Sequence, residues 1–196
     1  MNSVGMIVDV SHVSDKTFYD ALEVSTKPVI ASHSSCFVNS DVSRNMKDDM
    51  FRALAKNGGV VGVNFSSSFL NQKDADELKK LIAEHNQREP DLTGAELDKY
   101  AAKDQLDSGD IHPKVGTATV EDAADCIDHI VKIAGIDHVG IGSDFDGIPS
   151  VPQGLEDVSK MPALTAALLH RGYKEQDIRK IMGENYLRVI REVAGN

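Results

Sequence analysis

Tryptophan is absent from the 196 residues, aromatic side chains make up 5%, and cysteine occurs only at Cys36 and Cys126. Two distant cysteines without a Cys-x-x-Cys or a Cys/His cluster exclude a disulfide framework and a structural zinc knuckle, and read as free thiols in a reducing, cytoplasmic setting. Basic charge is also in deficit, with 21 Lys+Arg against 31 Asp+Glu and a formal net charge of -10. Such a surface repels phosphate backbones and anionic lipids, so nucleic acid is not an expected partner. Long apolar runs are missing. The longest, residues 6–10 and 59–65, fall far short of the roughly 20 residues of a membrane-spanning helix, and no membrane segment is expected. Residues 1–5 lack the basic and apolar regions of a signal peptide, and the chain reaches its first strand at once, as a truncated domain would. What is there is a 41% hydrophobic content, enough to bury the core of one globular domain.

Residues 6–10 are short and rich in β-branched side chains, and they run directly into Ser11-His12-Val13-Ser14. Residues 15–24 then set Phe18, Ala21 and Leu22 at helical spacing. The same unit of strand, polar loop and helix recurs. Residues 29–32 form a strand before His33, residues 48–56 a helix stopped by Asn57-Gly58-Gly59, and residues 60–65 a third strand. A helix with a capping start at Thr119 and an apolar stripe of Ala123, Ile127, Ile130, Val131 and Ala134 ends at Gly135. Residues 138–142 are the fourth strand, leading into Ser143-Asp144-Phe145-Asp146-Gly147, and short helices follow at 162–169, 174–182 and 185–193. Residues from about 70 to 116 are polar, with helical patches at 75–84 and 95–106, and read as an insertion.

Apolar strands alternating with amphipathic helices predict an α/β fold with a helix-covered parallel sheet. Polar residues gather after the strands, where doubly wound sheets and (β/α)8 barrels both place their sites. Four such units make half a barrel, and a closed one takes about 250 residues. His12, His33 and Asp144 each follow a strand, and a divalent metal at a barrel mouth needs imidazoles and carboxylates converging in that way. Capping and loop hydrogen bonds are the alternative the same residues support. Strand alternation sets Gly140 and Gly142 on the face of Asp144, leaving room there, with Val139 and Ile141 toward the helices. Asp146 is in phase as well, so alternation does not choose between the two aspartates.

Residues 5–14 around His12, 28–34 around His33, 43–45 around Arg44 and 142–147 around Asp144, continued by 154–160 and 183–189, resemble consecutive blocks of the membrane (renal) dipeptidase family. The resemblance implies a (β/α)8 TIM-barrel-type metal-dependent hydrolase, with this chain, residues 1–196, as about its last four β/α units. It implies zinc-dependent hydrolysis of dipeptides, some with a C-terminal D-residue, by metal-activated water attacking the peptide carbonyl. By the same resemblance, His12 and His33 bind one of two zinc ions, Arg44 holds the substrate's C-terminal carboxylate and Asp144 is the acid/base. The alternative for Arg44 is a brace to Asp48 or Asp49.

The departures from the family matter too. The family's first strand carries a His-x-Asp pair, a later one the carboxylate bridging both metals, and a further histidine contacts substrate. No His-x-Asp occurs in the 196 residues. Phe69 stands where relatives can carry a substrate-facing tyrosine. The alternative function is therefore a truncated, non-catalytic fragment, or a subunit completed by a separate N-terminal half. A dipeptide, and either a homo-oligomer or that complementing half, are the expected partners. Another metal-dependent hydrolysis, such as deacylation, is a third reading the fold admits. His129 reads as a helix-surface or packing residue, His138 as structural, and His85, His112 and His170 as exposed. Asp74, Asp76 and Glu77 read as a solvated helix start.

Overall fold

The computed structural model describes residues 1–88 and 114–195. In chain order its elements are α1 (Asp15–Val24), β1 (Ile30–Ser34), α2 (Asp48–Lys56), β2 (Val60–Val63), α3 (Ser67–Leu70), α4 (Gln72–Arg88) and β3 (Lys114–Thr119). There follow α5 (Val120–Ala134), β4 (Val139–Ile141), β5 (Ser150–Gln153), α6 (Met161–His170), α7 (Glu175–Arg179) and α8 (Asn185–Ala194). The predicted helical patch at 95–106, its flanking prolines and His112 lie outside the described residues.

The α/β expectation holds. β1, β2 and β4 form a parallel sheet in that order, with β2 central. The predicted first strand, residues 6–10, is reduced to a single parallel bridge from Asp9 to Ile30. Val10 N donates to Ile30 O at 2.8 Å and Ile30 N to Val8 O at 2.9 Å, and among the described residues the segment pairs on this side alone. Helices cover one face of the sheet, because Val61, Val63 and Val139 meet Phe51 and Leu54 of α2 and Ile127 and Ile130 of α5, all fully buried. Asp122 starts α5 by accepting both the backbone N–H and the hydroxyl of Thr119.

The opposite face belongs to α8. Its Tyr186, Val189 and Val193 pack on Ile7, Ile30 and Val60, the alternate positions of the same strands. The sheet is so curved that a Cβ on Gly62 would lie 2.3 Å from Ser32 O and 3.0 Å from the Gly142 Cα. Two outer strands therefore close toward one another over the glycine of the central one. The space expected beside Gly140 is filled: a Cβ there would meet the Tyr186 ring at 2.6 Å. Polar side chains fasten this helix to the strands' N-terminal ends. Arg188 donates to Gly58 O at 2.8 Å and to Asp137 O at 2.9 Å, and Asn185 Nδ2 donates to Ile136 O and Val139 O.

A second parallel pair, β3 with β5, was not expected from sequence. It is anchored by Asp74, whose solvated role is corrected: it is buried and accepts from Thr117 N, Thr117 Oγ1 and Ala118 N. The predicted helix at 174–182 is also corrected. It ends at Arg179 and widens into a π turn, Lys180–Glu184, broken where Gly183 leaves helical geometry. Cys36 and Cys126 are free and buried, with Cys36 Sγ 3.3 Å from Cys126 O. Among the described residues no helix is long and apolar enough to cross a membrane.

Candidate metal centre at the strand ends

Two non-glycine residues among those described have positive φ, His12 at 65° and Asp144 at 62°. A side chain in the left-handed region costs about 1–2 kcal/mol, and such strain gathers where a fold holds a residue for its chemistry. The first follows the bridged segment and the second follows β4, at the ends where the strands' C-termini point.

His12 Nε2 and His33 Nε2 are 2.8 Å apart, with ring centroids 4.8 Å apart and the planes tilted by 57°. The two rings thus converge through the same type of nitrogen. Burial lowers the pKa of His12, as do the nearby positive charge of Arg44 and His33, against the opposing pull of Asp144 and Asp9. A depressed pKa keeps the ring neutral and its lone pair available to a metal. Behind His33 lies a chain of short contacts. Ser32 Oγ is 2.7 Å from His33 Nδ1 and 2.5 Å from Asp9 Oδ2, while Asp9 Oδ1 accepts from Ser11 N at 2.9 Å and Ser32 N at 3.0 Å. Burial raises the pKa of Asp9, but the hydrogen bonds from Ser32 and Ser11 outweigh it and hold the carboxyl below its ordinary value.

Asp144 is half-buried and its Oδ2 accepts from Asn64 Nδ2 at 2.9 Å. Asn64 is itself fully buried, and its Oδ1 accepts from Ser66 N at 2.6 Å, which fixes the amide so that its NH2 faces the carboxylate. Gly147 N closes a turn onto Asp144 O at 2.9 Å, and a Cβ on Gly147 would lie 2.6 Å from Asp144 Oδ1. Asp146, in the same strand phase, is exposed.

Arg44 donates to His33 O at 3.3 Å and its guanidinium lies 5.7 Å from the centre of the Phe69 ring. The loop that carries it is pinned by the buried Asn45, whose Nδ2 donates to the carbonyls of Cys36, Ser40 and Phe69. Asp49 accepts from Tyr19 and Asp48 contacts His129 at 2.6 Å. His12, His33, Arg44 and Asp144 thus fall in one neighbourhood, with Arg44 and Asp144 both acting on the charge of His12. His129 packs between α5 and α2, His138 Nδ1 binds Gly59 O at 2.7 Å, and His170 is exposed, away from this neighbourhood.

Three residues here were not singled out from sequence: Asp9, Ser32 and Asn64. Asn64 had a signal, a polar residue inside the apolar stretch read as the third strand, and the structure ends that strand at Val63 just before it. Asp9 had another, a charge inside an otherwise apolar strand. Among the described residues no group of three or more His, Cys, Asp or Glu side chains is arranged to hold a metal. Two convergent imidazoles fit two ligands of a zinc site, whose donors are typically imidazole, thiolate and carboxylate.

The membrane dipeptidase family, peptidase family M19, matches the chain over residues 1–196. An uncharacterized dipeptidase of Schizosaccharomyces pombe is 41% identical over 190 residues, covering 96% of this chain and 36% of that protein. The solved structure of the probable dipeptidase PvdM from Pseudomonas aeruginosa superposes with a TM-score of 0.77 at 32% identity, covering 98% of this chain and 52% of that one. A metallopeptidase from Rhodobacter sphaeroides, solved with a phosphinate mimic of the dipeptide L-Ala-D-Ala, superposes with a TM-score of 0.72 at 29% identity, covering 98% of this chain and 44% of its own. The chain therefore spans about a third to a half of the length of these relatives.

Proposed function

Because the chain belongs to the membrane dipeptidase family, we propose that it supplies the C-terminal half of a (β/α)8 barrel whose mouth hydrolyses dipeptides with zinc. The curvature of the main sheet, with β1 and β4 closing over Gly62, supports a barrel, as does the coverage of about half of each solved relative. Residues 1–196 are then part of one domain, with the polar stretch near 70–116 as an insertion in it. The free, buried cysteines fit a cytoplasmic protein.

The observation that carries the functional reading is the pairing of strain with convergence: His12 and Asp144 both sit in left-handed backbone, and His12 meets His33 nitrogen to nitrogen. His12 and His33 would hold one zinc ion. Bound there, the ion would supply Lewis acidity, polarising the peptide carbonyl and easing loss of a proton from the attacking water near neutral pH. The chain's own groups do the rest. Asp144, with Oδ2 occupied by Asn64, has Oδ1 left to take the proton from the attacking water and pass it to the leaving amine. Arg44, backed by the His33 carbonyl and the Phe69 ring, clamps the free C-terminal carboxylate with its planar fork. Phe69 offers that carboxylate no hydroxyl. Two imidazoles fall short of the three protein ligands of a typical catalytic zinc, so the remaining ligands, and those of a second metal, would come from beyond the described residues.

Replacing Asp144 with Asn in the whole protein tests this reading. Metal content should persist while kcat falls by roughly 100-fold or more, the scale of lost acid/base help. Dipeptide turnover unaffected by Asp144→Asn would remove the proposed mechanism.

A further inference from the structure

Asp9 has no role in the chemistry above, yet it joins both histidine loops, accepting from Ser11 N beside His12 and from Ser32 N and Oγ beside His33. The direction of these bonds follows from what each group can donate. A carboxylate only accepts, so the Ser32 hydroxyl hydrogen, 2.5 Å from Asp9 Oδ2, points at Asp9. Ser32 Oγ then faces His33 Nδ1, at 2.7 Å, with lone pairs alone. That contact is a hydrogen bond only if Nδ1 carries the proton. A neutral imidazole has one N–H, so Nε2 of His33 is left bare, and this is the nitrogen 2.8 Å from His12 Nε2. The backbone N–H of His33 donates to Ser11 Oγ at 3.1 Å, which ties the ring's own peptide to the His12 loop.

We propose that Asp9, acting through the Ser32 hydroxyl, is the positioning residue that fixes His33 in its Nδ1–H tautomer and so presents Nε2 as a metal-donating lone pair. The inference rests on the reading of His33 as a zinc ligand. Buried metal-binding histidines are commonly set by such an outer partner on the other ring nitrogen. What distinguishes the present arrangement is an intervening serine whose proton is itself oriented by a carboxylate on the neighbouring strand segment.

Side-chain nitrogen NMR of the histidine-labelled chain, without metal and at a pH where the rings are neutral, reads the tautomer directly. His33 should be in the Nδ1–H form, although free histidine favours Nε2–H. Ser32→Ala, which leaves the backbone bonds of Asp9 in place, should return His33 to the Nε2–H form, and Ser32→Thr should restore Nδ1–H. Asp9→Asn gives the amide a hydrogen to donate to Ser32, turns the hydroxyl toward His33 and should have the effect of Ser32→Ala. Zinc titration followed in the same spectra should show about 10- to 100-fold weaker binding for Ser32→Ala, recovered in Ser32→Thr. His33 found as Nε2–H in the unaltered chain, a tautomer indifferent to Ser32→Ala, or unchanged zinc binding in that variant would each overturn the proposal. The tautomer measurement uses neither metal nor substrate. A correct tautomer in a protein that hydrolyses no dipeptide would count against the proposed function and leave the relay standing.

Discussion

At the scale of single residues, the site depends on orientation more than on proximity. Asp144 and Asp146 share a strand phase, and sequence alternation could not separate them. The structure gives the first a buried amide partner, Asn64, and leaves the second exposed. Asp146→Asn should accordingly leave dipeptide turnover within about twofold of the parent, as surface substitutions usually do, when kcat is measured beside that of Asp144→Asn. Arg44 gives a sharper contrast. Arg44→Lys keeps the charge and loses the fork, and a charge-assisted pair is worth about 1.5–3 kcal/mol, or about 10- to 150-fold in kcat/KM. The loss should appear with free dipeptides and nearly vanish with a C-terminally amidated dipeptide; equal losses on both would make Arg44 a loop brace. Asp9, Ser32 and Asn64 escaped the sequence reading because their value lies in a partner 23 or more positions away, which no local pattern records.

At the scale of elements, helices were easier to read than strands. α1 and α2 fall at their expected bounds, and α5 ends at Ala134 as Gly135 foretold, since each has an apolar stripe and a stop. β3 and β5 were missed because the first contains Lys114 and Gly116 and the second Pro152 within four residues, all residues that argue against a strand. Asp74 was misread for a related reason: its partners belong to one of those unseen strands. Gly140 and Gly142 were read as open space, and the structure makes them, like Gly62 of the central strand, points of close approach instead. A Cβ at Gly62 would lie 2.2 Å from Tyr186 Oη and 2.3 Å from the Ser32 carbonyl, the latter being backbone that cannot rotate aside. Gly62→Ala should therefore destabilise the chain by about 1–3 kcal/mol, the usual cost of overpacking. Thermal or urea denaturation measures it, and a parent-like midpoint would show that the strands are free to part.

At the scale of the molecule, the parallel α/β character and the family were legible, because both rest on motifs whose order runs along the whole chain. Ligands for the second metal that the family resemblance implies were not, because the sequence holds no His-x-Asp pair and the relatives are about two to three times as long. The isolated chain should for this reason bind zinc weakly, with less than one tightly held ion per molecule, since two histidines are short of the usual three or four ligands; metal analysis after dialysis checks this, and two tightly held ions would refute it. The central claim is that His12 and His33 hold a metal on which dipeptide hydrolysis depends. The most direct test is dipeptide turnover by the whole protein before chelation, after chelation and after zinc is returned, with and without the double change His12→Ala and His33→Ala. The account predicts that activity disappears on chelation, returns with zinc in the parent and does not return in the double variant. Turnover that survives chelation, or that zinc restores without the two histidines, would contradict it.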